Sequence, residues 1–218
     1  MRKLVTLAVA LTLGTASAAA FAEGNAFVNA NAGYSDYNIN NNSLSSVGVT
    51  GIDTHLRKRD PAGALRVGYR WNSVVDYGVE VGYGYLGQAR IQVSADPYAA
   101  RLTQKNRGFL LGGNLNYNIT ENWYVSARAG WFRGRNTYTL TAYAPEGTYS
   151  GRGTTTNTGE YFGIGGGYNF SKNFSLGLAY DTYHTPGSAL RTSESFVDGL
   201  EMRGTRVGMY SIQGEYRF

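Results

Sequence analysis

The sequence predicts an all-β protein, an eight-stranded antiparallel transmembrane β-barrel with short periplasmic turns and long extracellular loops. Three observations predict this fold class. The first is the final segment, Arg206–Phe218, in which apolar residues such as Ile212 and Tyr216 alternate with polar residues such as Gln213 and Glu215. Alternation with a period of two is typical of a strand that separates two different environments.

The second observation is that the ending of this segment recurs along the chain. A tyrosine followed two residues later by an aliphatic or aromatic residue closes the four segments Tyr69–Trp71, Tyr117–Ile119, Tyr168–Phe170 and Tyr216–Phe218. These segments end 48, 51 and 48 residues apart. The chain is therefore predicted to repeat one hairpin unit of about fifty residues.

The third observation is the distribution of aromatic residues on the apolar faces, where they concentrate at both ends. They are Trp71, Tyr77, Trp123, Phe170, Phe174 and Phe218 beside the short turns, and Tyr83, Tyr85, Phe109, Trp131 and Phe162 toward the long loops. Two aromatic girdles that flank smaller apolar residues are typical of a lipid-facing band. The alternative, a soluble eight-stranded barrel such as a lipocalin, would turn the apolar face inward.

Composition and targeting signals narrow the classes further. Residues 1–22, with Arg2-Lys3, the apolar run Leu4–Leu13 and Ala20-Phe21-Ala22, have the features of a secretory signal peptide. Residues 23–218 are then one barrel domain. The net charge of +5 comes from scattered basic residues, so no nucleic-acid partner is expected. With no cysteine and two histidines, neither a metal site nor a cofactor is expected.

Strands and turns follow from alternation and from clusters of Asn, Ser, Asp and Gly. Strands are predicted at 26–37, 61–71, 77–93, 107–119, 123–135 with continuation to about 144, 159–170, 174–184 and 206–218. The long loops are 38–60, 94–106, 145–157 and 185–203, and the short turns are 72–76, 120–122 and 171–173. Short turns on one side and long loops on the other are typical of an outer-membrane barrel with both termini in the periplasm.

The edge sequence Tyr117–Trp123 recurs as Tyr168–Phe174. Together with the signal peptide, the eight strands and the terminal aromatic pair, it resembles the OmpA-type and Opa-type small outer-membrane barrels over essentially the whole mature chain. The resemblance implies a bacterial outer-membrane location and recognition of Tyr216 and Phe218 by the barrel-assembly machinery. The chain stops at the barrel, unlike full-length OmpA, so no peptidoglycan-binding domain is expected.

Charged residues on the inward face are the first candidate site. They are Arg66, Arg70, Arg128 and Arg217 against Glu80, Asp181 and Glu215. The near balance predicts a paired network that fills the interior, because an unpaired buried charge is costly. Glu80 is expected within diagonal reach of Arg66 or Arg70. The alternative is an ion-conducting gate of switching pairs, although eight strands leave room only for side chains.

Two further sets of residues are weaker candidates. The basic cluster Arg57-Lys58-Arg59 suits contact with lipopolysaccharide phosphates, since arginine forks phosphate oxygens; the alternative is a solvated loop cluster. His184, Ser188 and Glu194 offer the residue types of a lipid A hydrolase. They lie at or in one loop, however, and their surroundings do not resemble the motif of such enzymes.

The sequence is therefore interpreted as a monomeric, non-enzymatic barrel embedded in outer-membrane lipid. Its four outer loops are expected to serve envelope integrity or contact with lipopolysaccharide, host or other cell-surface ligands, because loops on a rigid scaffold carry specificity. A small ion channel gated by interior salt bridges is the alternative function, and lipid A hydrolysis is the second alternative.

Overall fold

The computed structural model describes residues 24–38, 53–95, 97–185, 188–189, 201–202 and 205–218. The predicted signal peptide lies outside these ranges. The strands within them are β1 (Gly24–Tyr37), β2 (Asp53–Arg57), β3 (Arg59–Trp71), β4 (Asp76–Ala95), β5 (Tyr98–Asn118), β6 (Trp123–Ala144), β7 (Gly147–Asn169), β8 (Phe174–Thr185), β9 (Ser188–Ala189), β10 (Glu201–Met202) and β11 (Thr205–Arg217). None of the described residues belongs to a helix of the length and hydrophobicity that a membrane span requires.

Eight of these strands form a closed antiparallel ring in the order β4-β3-β1-β11-β8-β7-β6-β5, and the β4–β5 pairing completes the circle. The first and last strands of the ring pair over the range from Phe27 opposite Arg217 to Tyr37 opposite Val207. Closure leaves no free edge among the eight, as a bilayer requires. The predicted eight-stranded fold is confirmed.

The two faces of the ring differ as the alternation predicts. Outward apolar side chains remain exposed, for example Leu65 at 55 %, Leu111 at 56 % and Ile164 at 66 %. The inward Arg66, one residue after Leu65, is fully buried at 0 % exposure. The apolar surface therefore faces lipid and the charged surface faces the lumen, which is the reverse of a soluble barrel.

The extracellular connections differ from the prediction. The sequence predicts loops at 94–106 and 145–157, but most of both ranges is strand. The strand β4 ends at Ala95 and β5 begins at Tyr98, and β6 ends at Ala144 and β7 begins at Gly147. The end of the predicted first loop also forms β2 and the start of β3, and β2 pairs with the upper part of β4. The strands β5, β6 and β7 consequently reach 21, 22 and 23 residues, about twice what a bilayer crossing needs.

A β-bulge interrupts β4 where it leaves the membrane. The pairing with β5 shifts between Tyr85 and Gln88, and Gly87 has a left-handed φ of 73°. Leu86 keeps the inward parity of Gly84 and is buried in the lumen, but the extra residue reverses the inside–outside alternation above it, so that Ala89 rather than Gln88 is buried. Bulges of this kind re-aim side chains at barrel rims.

Candidate functional site

The periplasmic half of the lumen is occupied by a salt-bridge network centred on Arg66 and Asp181. The Nε of Arg66 lies 3.5 Å from Oε1 of Glu80, and its second terminal nitrogen lies 3.4 Å from Oδ2 of Asp181. Oδ1 of Asp181 lies 3.5 Å from Nε of Arg128. Arg66 also donates a hydrogen bond of 2.6 Å to Oδ1 of Asn31. Four strands, β3, β4, β6 and β8, thus meet through charges at one level of the barrel.

A second group lies closer to the periplasmic end. Arg70 forms two hydrogen bonds with the Glu215 carboxylate, at 2.7 and 3.1 Å, and its guanidinium lies 4.5 Å from the centroid of the Phe27 ring. Arg217 lies 3.8 Å from the same carboxylate. Asn114 joins the two groups, because it accepts from Nε of Arg70 and donates to Oε2 of Glu80.

All seven charged residues predicted to face inward therefore lie inside the barrel. The geometry also shows which of the two nearby arginines, Arg66 or Arg70, pairs with Glu80. Glu80 is paired in register with Gly68, which places it diagonally between Arg66 and Arg70. It contacts Arg66, whereas Arg70 is taken by Glu215 from β11. The strand pattern alone does not decide between the two arginines, because the choice depends on Glu215, which reaches Arg70 from a strand that is not adjacent to β3.

The extracellular half of the lumen contains a large apolar cluster, which the sequence pattern did not predict. This buried cluster is formed by Tyr37, Ala62, Ala64, Leu86, Ala89, Leu110, Phe132, Tyr161, Tyr183, Val207 and Met209. The signal was present, because Phe132, Tyr161 and Tyr183 share the inward parity of Arg128 and Asp181. The two predicted aromatic girdles, in contrast, place large aromatic residues on the lipid-facing surface alone.

Two tyrosines join the apolar layer to the charged layer. The rings of Tyr161 and Tyr183 stack at 6.1 Å inside the apolar cluster. The Tyr161 hydroxyl donates a 2.7 Å hydrogen bond to Oε1 of Glu80, and the Tyr183 hydroxyl accepts one of 2.9 Å from Arg66. Each tyrosine therefore covers the salt-bridge network on its extracellular side with its ring and forms a hydrogen bond to the network with its hydroxyl group.

The space left inside the charged layer is small. A cavity of about 10 Å³ lies among Phe27, Arg70, Glu80, Asn114 and Gln213, with other lumen residues around it. That volume is about one water molecule. Gln213 further fills the layer by accepting from Arg128 and donating to the Tyr124 hydroxyl at 3.1 Å. The described lumen is packed with side chains across its width.

Outside the membrane, β4–β7 continue as a sheet that projects from the barrel. In β6, eleven residues follow Arg133 before the strand ends at Ala144, a length of about 35 Å along the strand. Tyr98, Tyr143 and Tyr149 lie near its tip and are 55 %, 42 % and 63 % exposed. We call this β4–β7 extension the extracellular sheet.

The remaining predicted residues lie apart from the lumen. Arg57 is exposed at the end of β2, Lys58 follows it, and Nε of Arg59 lies 3.2 Å from Oδ2 of Asp36. His184 is exposed on the outward face of β8. Glu194 and the side chain of Ser188 lie outside the described residues. No group of three or more potential metal ligands occurs within the described ranges.

The terminal aromatic pair lies at the periplasmic rim. The backbone N–H of Phe218 donates a 2.9 Å hydrogen bond to the carbonyl of Ala26, and its ring packs edge-on against Tyr216 with centroids 5.0 Å apart. Both rings face outward, at 57 % and 48 % exposure. The C-terminal residue therefore completes the seam between β11 and β1.

A closed eight-stranded ring with a lipid-facing band and a polar, filled lumen defines a bacterial outer-membrane β-barrel. The chain belongs to the outer membrane protein beta-barrel domain family, whose model matches residues 6–197. A search of curated proteins finds no match.

Several solved outer-membrane barrels are similar to this chain. Ail of Yersinia pestis, solved with the heparin analogue sucrose octasulfate, is 15 % identical, with 90 % of this chain and 99 % of that one covered and a TM-score of 0.43. OprG of Pseudomonas aeruginosa is 13 % identical, with 90 % and 96 % covered and a TM-score of 0.49. Neisserial surface protein A is 12 % identical, with 88 % and 97 % covered and a TM-score of 0.44.

Proposed function

We propose that this protein is a non-enzymatic and non-conducting barrel that holds its extracellular sheet at the cell surface for contact with external ligands. The single observation that carries the proposal is the filled lumen. A charged layer and an apolar layer lie one above the other, and the cavity in the charged layer has a volume of only about 10 Å³, the size of about one water molecule. A barrel whose interior is packed in this way serves as an anchor rather than as a passage.

The extracellular sheet supports the surface role. Its strands carry backbone pairing to the tip, for example Ala142 opposite Tyr149 and Ala99 opposite Tyr143, so the exposed rings are held on paired strands. Tyrosine is a common anchor of binding surfaces, because it offers a large contact area with few rotatable bonds and a polar hydroxyl. The sheet thus presents aromatic groups well above the membrane.

A shortened β6–β7 hairpin tests the surface role. Residues 139–152 are replaced by Asn-Gly, a two-residue turn that closes the hairpin at the Tyr138–Gly153 pair. Cells that produce the wild-type protein are expected to be retained on an epithelial monolayer more than cells without it. The shortened variant should lose this gain at an equal amount in the outer membrane.

Point variants separate the tyrosines from the length of the hairpin. Tyr143→Ser with Tyr149→Ser should lower retention, whereas Thr154→Ala with Thr156→Ala, which removes no ring from the same hairpin, should not. Uptake of a hydrophobic dye by the same cells reports envelope integrity. If neither retention nor dye uptake differs between wild-type cells and cells without the protein, the surface role is wrong and only the scaffold remains.

A further inference from the structure

Three arginines converge on the outer surface of β5 and β6, just above the extracellular aromatic girdle. Arg107 is paired directly opposite Arg135, and Arg133 is opposite the girdle residue Phe109. All three side chains are exposed. Directly opposite residues on one face have Cβ atoms about 5 Å apart, so the three guanidinium groups reach the same patch of surface. We call these residues the arginine cluster.

The arginine cluster has fewer negative charges around it than are needed to balance its three positive charges. None of its members forms a salt bridge within the described ranges. Their other cross-strand neighbours are uncharged: Tyr85 on β4 lies opposite Arg107, and Thr156 and Thr158 on β7 lie opposite Arg135 and Arg133. The nearest acid on that strand, Glu160, is opposite Trp131 one row below. Like charges directly opposite each other destabilise a sheet, so an external anion bound between these arginines would stabilise it.

An apolar groove lies under the arginine cluster on the same face of the barrel. Its floor is made of the small residues Gly113, Ala127 and Ala129, its walls include Leu115 and Phe162, and its volume is about 650 Å³. Ala129 precedes Arg133 by four residues on β6, so the floor lies about 13 Å deeper along the strand. The groove is therefore at the depth of acyl chains, and the cluster is at the depth of headgroups.

We propose that the arginine cluster and this groove together bind a phosphorylated glycolipid of the lipid A type in the outer leaflet. Its phosphates would accept hydrogen bonds from the three guanidinium groups, which match phosphate oxygens in pairs. One of its acyl chains lies in the groove. The cluster suits this role better than Arg57-Lys58-Arg59, because Arg59 is already paired with Asp36. The site is independent of the surface role proposed above.

Native mass spectrometry of the refolded full-length barrel in a neutral detergent tests the site, with bis-phosphorylated lipid A as the probe. Wild-type protein should form a one-to-one adduct. Arg107→Gln, Arg133→Gln and Arg135→Gln combined should weaken it about tenfold or more, since charge-assisted hydrogen bonds to phosphate are lost. The matched control combines Arg90→Gln, Arg101→Gln and Arg152→Gln, three exposed arginines higher on the extracellular sheet, and should bind as wild type does.

Further arms test the groove and the source of the phosphate. Ala129→Leu fills the groove floor and should weaken binding, whereas Ala32→Leu, on the outward face of β1, should not. Phosphatidylglycerol and inorganic phosphate should bind more weakly than lipid A. An equal loss of lipid A binding in both triple variants would show that binding depends only on net charge, and it would overturn the proposal. Equal binding of phosphatidylglycerol would overturn the assignment to a glycolipid. Native-like gel mobility of each variant confirms its folding.

Discussion

At the scale of single residues, Asp181 is the critical acid of the lumen. It is fully buried and lies within 3.5 Å of two arginines from different strands. Asp181→Asn would leave two buried guanidinium groups with one negative charge fewer. Because an uncompensated buried charge is strongly destabilising, we expect the free energy of unfolding to fall by about 3 kcal/mol. Urea unfolding of the protein in phosphatidylcholine vesicles, followed by tryptophan fluorescence, measures this change.

The matched control is the ion pair of Asp36 with Arg59 at the barrel rim, where the arginine side chain is 80 % exposed. Asp36→Asn removes an ion pair without burying a charge, and we expect a change below about 0.5 kcal/mol. A loss in Asp181→Asn that is no larger than the loss in Asp36→Asn would show that the lumen charges contribute little to stability.

Gly87 supports a second prediction at this scale. Its φ of 73° is one that residues with a Cβ rarely adopt, and a Cβ there would lie 2.8 Å from the Cβ of Asp60 and 2.9 Å from the carbonyl of Pro61. Gly87→Ala should lower the free energy of unfolding by about 1–2 kcal/mol or more. Gly84→Ala is the control, since its nearest neighbour is a Leu110 methyl at 3.7 Å. Equal stability of both variants in the same urea assay would show that a Cβ at position 87 causes no backbone strain or steric clash.

The alternation of residues along each strand predicts which side chains face the lumen, but not which of them contact each other. Parity alone assigns Arg66 and Asp181 to the inside, because the alternation of each strand is read locally. It does not state that Arg70 meets Glu215, which depends on how the ring closes. It also failed at Ala89, which faces the lumen in place of Gln88, because the bulge inserts a residue that no period-two pattern contains.

At the scale of strands, the elements inside the membrane and the extensions of β4 and β6 were predictable, whereas the extensions of β5 and β7 were not. Within the bilayer one face is apolar and the other polar, so the alternation is strong. Above it, residues 152–158 of β7 are polar or glycine at every position, so the sequence shows no apolar face there. The threonine-rich run Thr154–Thr156 lies in a predicted loop but forms part of β7, in keeping with the preference of threonine for strands.

The last strand supports a prediction about assembly. Deleting Phe218 removes the ring that packs on Tyr216 and the N–H that bonds to Ala26. Because the terminal aromatic is proposed as the signal for the assembly machinery, we expect less assembled protein in the outer membrane and unchanged surface loops. Quantitative immunoblots of outer-membrane fractions, with and without heating, measure the folded amount.

A control for the loss of an aromatic ring is Phe170→Ala. Phe170 has the same position relative to the membrane edge and is 62 % exposed, but it directly follows the last residue of β7 rather than ending the chain. It should assemble nearly as well as the wild type. Refolding of the shortened chain into vesicles without any machinery separates recognition from stability, and a normal outer-membrane yield after deletion would refute the assembly role.

At the scale of the whole molecule, the lumen has two barriers in series. The charged layer pairs its ionised side chains with one another, and the layer above it is narrowed by the apolar side chains of Phe132 and Leu110, which are 0 % and 1 % exposed. A hydrophobic constriction blocks conduction by excluding water. An ion that passed the first layer would therefore still meet the second, so altering one layer alone leaves the path closed.

We accordingly expect no discrete openings in planar bilayers for the wild type, for Glu80→Gln, which weakens the charged layer, or for Phe132→Ser, which weakens the apolar layer. Inserted protein is verified by its heat-modifiable mobility after recovery from the bilayer. Openings in Glu80→Gln but not in Phe132→Ser would mean that ions cross the apolar layer unaided and that the salt bridges are the gate. Openings in the wild type would overturn the non-conducting role itself. Silence in all three is the result that two packed layers in one narrow barrel require.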